Sequence, residues 1–287
     1  MNKLRDTSLG AYLLYGAALV YVMTLASILR GPLGMHETVI VYEVAGVLGA
    51  GLVYRRLMGD WSAPAPELRT AGGSAGALVV AVLAAVALGL WANVSMVLTV
   101  ELAADAVPGV RELAERYQQQ VEILILEAEG VERVLGIVGV CVAAPLCEEG
   151  LFRGVMLSEQ RKSEGWFAAA LLNGAMFGAF HLNPLSLVPL TVVGLFLAHL
   201  TIRSGSLWPA ILAHAALNIS NGVVMPALLP ASAKTTGVGE MTLFEGGYAL
   251  TIESVGQYAV LLLLFGGLAA WLWWLAVGML SEDRSGG

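Results

Sequence analysis

Apolar stretches of about 20 residues recur along this sequence, and they restrict the chain to a small set of folds. A helix needs roughly 20 mostly apolar residues to cross the hydrocarbon layer of a bilayer, and in that layer its backbone groups must be bonded within the helix. The composition agrees, because 57% of the residues are hydrophobic and only 13% are charged. The sequence therefore predicts an all-α, polytopic membrane protein.

About eight transmembrane helices are predicted. They cover residues 9–29, 38–54, 76–100, 134–157, 166–182, 187–202, 207–224 and 255–280. We expect one membrane domain over residues 1–287, with N-terminal helices (9–104), an acidic extramembrane amphipathic segment (105–133), a central four-helix core (134–228) and a C-terminal transmembrane helix (253–281).

The distribution of basic residues between alternate loops predicts the orientation. With an internal N-terminus, nine Lys and Arg residues lie in cytoplasmic loops and five in external loops, which satisfies the positive-inside rule. Both termini are therefore predicted to be cytoplasmic. The excess of Arg (twelve) over Lys (three) indicates a prokaryotic plasma membrane.

The longest predicted external segment, 101–133, carries eight acids and three arginines. Its apolar residues recur at three- and four-residue steps, namely Val110, Leu113, Tyr117, Val121 and Leu124. This periodicity is typical of an amphipathic helix, which we expect to lie on the membrane or to pack against the bundle. An arm that engages a substrate is the alternative.

Three ionisable residues, Glu148, Glu149 and Arg153, lie within one predicted transmembrane helix. Such residues are costly at bilayer depth and mark functional sites by default. Glu149 and Arg153 are four residues apart, in the order that favours an ion pair on a helix. Glu148 points about 100° away. It is therefore predicted to be the carboxylate that is free for chemistry.

Two further predicted helices carry histidines at helical spacing from a second residue. Phe177 and His181 are four residues apart, as are His214 and Asn218. We expect these residues to converge with Glu148 in the inner or middle part of the bilayer, although His181 fits this depth least well. Glu43, near the start of the second predicted helix, is expected to extend toward the interface and to take no part in the site.

Taken in order, Glu148-Glu149-x-x-x-Arg153, Phe177-x-x-x-His181 and His214-x-x-x-Asn218 resemble the three motifs of the CAAX protease and bacteriocin-processing family of intramembrane glutamic endopeptidases. That family includes the Ras-converting type II CAAX prenyl endopeptidases. The resemblance implies a helical bundle around a water-filled cavity, with 134–228 as the catalytic core. It implies peptide hydrolysis without a covalent intermediate and without a cofactor.

The resemblance also assigns roles to the motif residues. Glu148 would be the general base, His181 would assist it, and His214 with Asn218 would stabilise the oxyanion. Glu149 and Arg153 would organise the site, and Phe177 would contact the substrate. The expected partners are a peptide or protein substrate, which can be membrane-associated, and the lipid bilayer, with no nucleic acid.

Two alternatives remain open. Glu148, His181 and His214 could instead bind zinc, because carboxylates and imidazoles are ordinary zinc ligands and catalytic sites use three protein ligands plus water. The usual His-Glu-x-x-His helix is absent from the sequence. The chain could also be a non-catalytic membrane protein, such as a scaffold or an immunity-type regulator. A transporter is less consistent with the sequence. Transporters usually show repeated halves, whereas the polar membrane residues of this chain lie in only one half.

Overall fold

The computed structural model describes residues 8–29, 33–58, 73–104, 106–224 and 252–285. All regular secondary structure in these ranges is helical, so the predicted all-α membrane class is confirmed. The helices are α1 (Leu9–Leu29), α2 (Met35–Leu57), α3 (Ala75–Ala103), α4 (Val110–Val121), α5 (Gly130–Gln160), α6 (Trp166–Phe180), α7 (Leu187–Ser204), α8 (Trp208–Ile219) and α9 (Ile252–Ser285).

Six helices in the described ranges, α1, α2, α3, α5, α7 and α9, are long and apolar enough to cross a membrane. The other two predicted spans are shorter helices, since α6 has 15 residues and α8 has 12. At about 1.5 Å per residue α6 is only ~22 Å long, less than the ~30 Å hydrocarbon layer. The termini and most of the loop between α2 and α3 lie outside the described residues.

Helices α6 and α7 pack at backbone contact because glycines face each other across the interface. A Cβ atom on Gly174 would lie 2.5 Å from the carbonyl oxygen of Thr191 and 2.6 Å from the amide nitrogen of Leu195. Gly194 faces Gly174 in the same way. Small residues allow this close approach in membranes, where dispersion contacts replace the hydrophobic effect. This packing fixes the position of α6, and therefore of His181, which directly follows the helix.

Five segments of the described residues are wound as π-helix. They are Tyr42–Leu48 in α2, Glu122–Leu126 directly after α4, Gly139–Ala143 and Gly150–Met156 in α5, and Ser220–Val224 directly after α8. Short π-helical insertions occur frequently at functional sites, where they change the direction in which neighbouring side chains point. Three of these segments, Tyr42–Leu48, Gly150–Met156 and Ser220–Val224, contain or lie within two residues of a polar residue of the cavity described below.

The amphipathic helix α4 packs against the bundle, which is one of the two positions predicted for it. Val110 and Ala114 are buried with Val100 of α3 and with Leu185, which lies between α6 and α7. The Tyr117 hydroxyl donates a 2.7 Å hydrogen bond to the carbonyl oxygen of Leu182. Helix α4 therefore covers the connection that follows His181.

Candidate active site

A cavity of about 240 Å³ lies between α2, α5, α6, α7 and α8. It is lined by Val39, Glu43, Val140, Ala144, Glu148, Phe177, His181, Leu190, Val193, His214, Leu217 and Asn218. Water occupies roughly 30 Å³ per molecule in the liquid, so the cavity has room for several waters or for one peptide unit. The structure thus brings together Glu148, Phe177, His181, His214 and Asn218, which the sequence predicted to converge.

The predicted ion pair between Glu149 and Arg153 is present and fully buried. The Arg153 Nη1 atom lies 2.9 Å from Glu149 Oε1, and both side chains are 0% exposed. Arg153 Nη2 donates a second hydrogen bond of 2.9 Å to the carbonyl oxygen of Gly194 on α7. Its guanidinium carbon lies 4.5 Å from the centre of the Phe177 ring. Arg153 therefore connects α5 to both α6 and α7.

Glu149 has a second partner that the helical spacing did not reveal. The Nδ1 atom of His214 lies 2.9 Å from Glu149 Oε1, while His214 Nε2 lies 4.0 Å from Glu148 Oε2. The Glu149 carboxylate, which accepts a hydrogen bond from Arg153, has no proton to donate. The hydrogen bond with the imidazole must therefore use a proton on His214 Nδ1. The ring is thereby fixed with Nε2 directed toward Glu148.

His181 follows the last residue of α6, where the helix stops short. Its Nδ1 atom lies 2.9 Å from the Phe177 carbonyl oxygen, which can only accept, so this nitrogen is the donor and Nε2 is unprotonated in the neutral ring. Leu182 then adopts a φ of 53°, a left-handed conformation that is uncommon for a residue other than glycine. His181 thus lines the cavity from the end of α6.

Asn218 lies one helical turn beyond His214 and borders the same cavity. Its Nδ2 atom donates a 2.8 Å hydrogen bond to the carbonyl oxygen of Val140 on α5. An amide nitrogen carries two hydrogens, so one N–H remains for another acceptor. The bond to Val140 fixes the plane of the amide.

Phe177 is 1% exposed and contacts both histidine rings. Its ring centre lies 4.8 Å from that of His181 and 5.6 Å from that of His214, in edge-on arrangements. Asn173, on the same face of α6, lies outside the cavity. It donates hydrogen bonds to the Phe152 carbonyl and the Gln160 side chain, at 2.9 and 3.0 Å. Asn173 therefore joins α6 to α5.

The structure places Glu43 in the cavity, contrary to the expectation from the sequence. The residue was expected to extend toward the interface, but it is 5% exposed and lines the same cavity as Glu148. Burial between α2 and α5 and the π-helical segment that begins at Tyr42 direct it inward. The signal was present in the sequence, since an acid inside a membrane span is a candidate functional residue by default. The cavity thus extends beyond the predicted core 134–228 to α2.

Metal binding was the open alternative for these side chains. No group of three or more His, Cys, Asp and Glu residues within the described ranges is arranged to hold a metal ion. The side chains of the cavity can bind water and donate or accept protons.

The fold and the cavity define a polytopic membrane protein with a buried polar site of carboxylate, imidazole and amide groups. The family model described as "Type II CAAX prenyl endopeptidase Rce1-like" matches residues 130–220, which contain α5 to α8. An "Uncharacterized 24.3 kDa protein" of Escherichia coli is 31% identical over 212 residues, covering 71% of this chain and 81% of that protein. No solved structure matches the chain.

The chain belongs to the Rce1-like family of type II CAAX prenyl endopeptidases. The resemblance seen in the three motifs is thereby confirmed. Membership of the family makes the protein a CAAX-type intramembrane protease, and hence a hydrolase that acts on a peptide substrate from within the membrane.

Proposed function

We propose that this protein is a glutamic endopeptidase that hydrolyses peptide bonds with a water molecule activated in the cavity. Glu148 is the general base and His181 assists it, while His214 and Asn218 stabilise the oxyanion. The observation that carries the proposal is the position of the His214 ring, 2.9 Å from Glu149 and 4.0 Å from Glu148. Through this ring, the organising pair Glu149 and Arg153 is connected to Glu148, the proposed base.

The reaction begins when Glu148 removes a proton from water and the water oxygen attacks the carbonyl carbon. Glu148 is suited to this role because its Oε2 atom is buried and has no hydrogen-bond partner among the described residues. The free Nε2 of His181 can accept a hydrogen bond from the same water and fix its direction. A general base contributes typically 10²–10⁴-fold to the rate.

The developing oxyanion requires donors already in position. His214 can donate from Nε2 only as the imidazolium, with both ring nitrogens protonated. Glu149 supports that charge through Nδ1, and Arg153 in turn balances Glu149. Asn218 donates its second amide N–H, because the first is bonded to the Val140 carbonyl oxygen. One such donor is worth about 10²–10³ in rate in a well-characterised protease.

We propose an unprenylated peptide or protein segment at the membrane as the substrate. The family description names prenyl substrates, but the Arg-rich, Lys-poor composition favours a prokaryotic plasma membrane, where prenylated CAAX proteins are not expected. The balance of basic residues supports an orientation with both termini in the cytoplasm.

The test is a peptidase assay on the full-length protein in detergent. Internally quenched peptides, with and without a prenylated cysteine, are compared for the wild type, Glu148→Gln and Glu132→Gln. Glu132 is exposed near the start of the same helix and serves as the matched control. We expect Glu148→Gln to reduce cleavage at least ~100-fold and Glu132→Gln to leave it unchanged.

Two results would contradict the proposal. Cleavage that survives Glu148→Gln would remove Glu148 as the base. A wild-type protein that cleaves no peptide, while Glu148→Gln and His181→Ala leave its cellular phenotype intact, would favour a non-catalytic scaffold or immunity-type role.

A further inference from the structure

Glu43 is a third acid of the cavity that the mechanism above does not use. It is 5% exposed, it lies in the π-helical segment Tyr42–Leu48 of α2, and it lines the cavity together with Glu148. The two carboxyl groups are close enough to interact electrostatically.

The polar surroundings of Glu43 differ from those of Glu149 and Glu148 in their charged neighbours. Glu149 is bonded to both Arg153 and His214, and Glu148 Oε2 lies 4.0 Å from His214 Nε2. Glu43 Oε2 has no hydrogen-bond partner within the described ranges, and of the three acids it is the one without a cationic neighbour among the described residues. Burial of a carboxylate without a counter-charge is very costly, so the uncharged acid is the favoured form of Glu43.

Peptide hydrolysis requires an acid for the leaving nitrogen as well as a base for the water, and a second carboxyl group on the cavity wall allows separate residues to perform the two steps. When the carbon–nitrogen bond breaks, the leaving nitrogen must receive a proton, because an amide anion is too basic to depart. His181 directs its one protonated nitrogen at the Phe177 carbonyl, and His214 and Asn218 are needed at the oxyanion. A neutral carboxyl on the wall of the cavity has the chemistry that this step needs.

Resting on the proposed function, we propose that Glu43 is the general acid that protonates the leaving amine. Water transfers one proton to Glu148 as its oxygen bonds to the carbonyl carbon. Collapse of the tetrahedral intermediate breaks the carbon–nitrogen bond as Glu43 donates its proton to the nitrogen. The proton on Glu148 then passes across the cavity to Glu43, which restores both residues. The products are a carboxylic acid and an amine, and water is the only co-reactant.

The experiment compares two leaving groups. The substrates are a quenched peptide that the wild type cleaves and its thioester analogue, in which sulfur replaces the scissile NH. A thiolate departs without being protonated, so the analogue does not need the acid. The variants are Glu43→Gln and, as the matched control, Glu37→Gln, since Glu37 is exposed on the same helix. Both are assayed as full-length protein in thiol-free detergent solution.

We expect Glu43→Gln to reduce peptide cleavage ~100-fold or more and thioester cleavage less than ~10-fold, with Glu37→Gln like the wild type for both. The retained thioesterase activity also shows that the variant is folded. An equal loss on both substrates would assign Glu43 a structural role, and no loss on either would leave it without a role, so each overturns the inference. Failure of the wild type to cleave any peptide in the preceding peptidase assay would instead overturn the proposed function itself.

Discussion

The Nδ1 atom of His214 lies 2.9 Å from Glu149 Oε1, and the same oxygen accepts a hydrogen bond of 2.9 Å from Arg153 Nη1. One carboxylate oxygen therefore joins a buried cation on α5 to a catalytic candidate on α8. Because the pair between Glu149 and Arg153 is completely buried, loss of the carboxylate is expected to affect folding and chemistry together.

Glu149→Gln is predicted to destabilise the protein and to reduce its activity. The substitution keeps the size of the side chain but leaves the Arg153 charge buried without a counter-ion, which costs about 3–5 kcal/mol. It also removes the support for a charged His214, so turnover should fall ~100-fold or more. Thermal unfolding in detergent and peptide turnover measure the two effects.

Glu148→Gln is the control for this prediction. It should reduce turnover at least ~100-fold without lowering the unfolding temperature, because Glu148 Oε2 has no hydrogen-bond partner among the described residues. If Glu149→Gln proved as stable and as active as the wild type, the role of Glu149 in organising the site would be refuted.

Arg153→Lys is predicted to be strongly destabilising although the charge is kept. Arg153 bonds Glu149 and the Gly194 carbonyl at the same time and lies over the Phe177 ring. A lysine cannot reproduce this forked geometry, and each lost bond to a charged group costs roughly 1.5–3 kcal/mol. Chemical unfolding of the variant in detergent measures the loss.

A double variant separates stability from catalysis at the same pair. Glu149→Leu with Arg153→Met removes both charges, and apolar replacement of a buried ion pair is often neutral for stability. We expect the double variant to be more stable than either single variant while remaining inactive. A double variant that recovered turnover would show that the pair is dispensable for chemistry.

The helical periods in the sequence predicted much of this architecture. The first helix was predicted to span residues 9–29 and does so, because about 20 apolar residues with few charges have no other stable state in a bilayer. The pair between Glu149 and Arg153 followed from four-residue spacing alone. Contacts within one helix are set by local geometry, so the sequence reveals them.

Contacts between helices could not be predicted in this way. Glu43 was expected to extend toward the interface because it lies near one end of its helix, yet packing of α2 against α5 and a π-helical segment direct it into the cavity. The bond between His214 and Glu149 joins residues 65 positions apart. The end of α6 at Phe180, directly before His181, could not be predicted either, because apolar composition alone does not determine where a helix stops.

Gly174→Ala is predicted to disrupt the site from outside it. The new methyl group would lie 2.5 to 2.6 Å from backbone atoms of α7, which cannot move aside as a flexible side chain would. Overpacking of this kind costs typically 1–3 kcal/mol, and displacement of α6 would shift His181 and reduce turnover. Unfolding temperature and turnover in detergent check the prediction.

Gly267→Ala is the matched control, because a methyl group there meets no atom within 4 Å. Alanine is the better helix former, so this variant should be as stable as the wild type or slightly more stable. Equal behaviour of the two alanine variants would contradict the assigned role of the contact between α6 and α7.

Peptide cleavage is predicted to continue in the presence of metal chelators. The proposed mechanism activates water with Glu148 and His181 and has no step that needs a metal ion. The measurement is turnover after dialysis against EDTA and 1,10-phenanthroline, with metal analysis of the same sample. Activity that was lost in chelator and restored by zinc would establish the zinc-dependent alternative instead.

Tyr117→Phe is predicted to weaken catalysis although Tyr117 does not line the cavity. Its hydroxyl bonds the carbonyl oxygen of Leu182 at 2.7 Å, and Leu182, in its left-handed conformation with φ of 53°, directly follows His181. Loss of this bond should cost about 0.5–1.5 kcal/mol and allow the backbone at residue 182 to relax. A displacement of His181 by even ~1 Å can reduce turnover by up to ~100-fold.

Tyr54→Phe provides the comparison, since it removes a tyrosine hydrogen bond to Glu159 near the opposite end of α2 from the segment that faces the cavity. We expect a similar small loss of stability in both variants but reduced turnover only in Tyr117→Phe. Helix α4 would then act on the reaction by fixing the backbone after His181. If Tyr117→Phe lost stability without losing turnover, α4 would be a packing element alone.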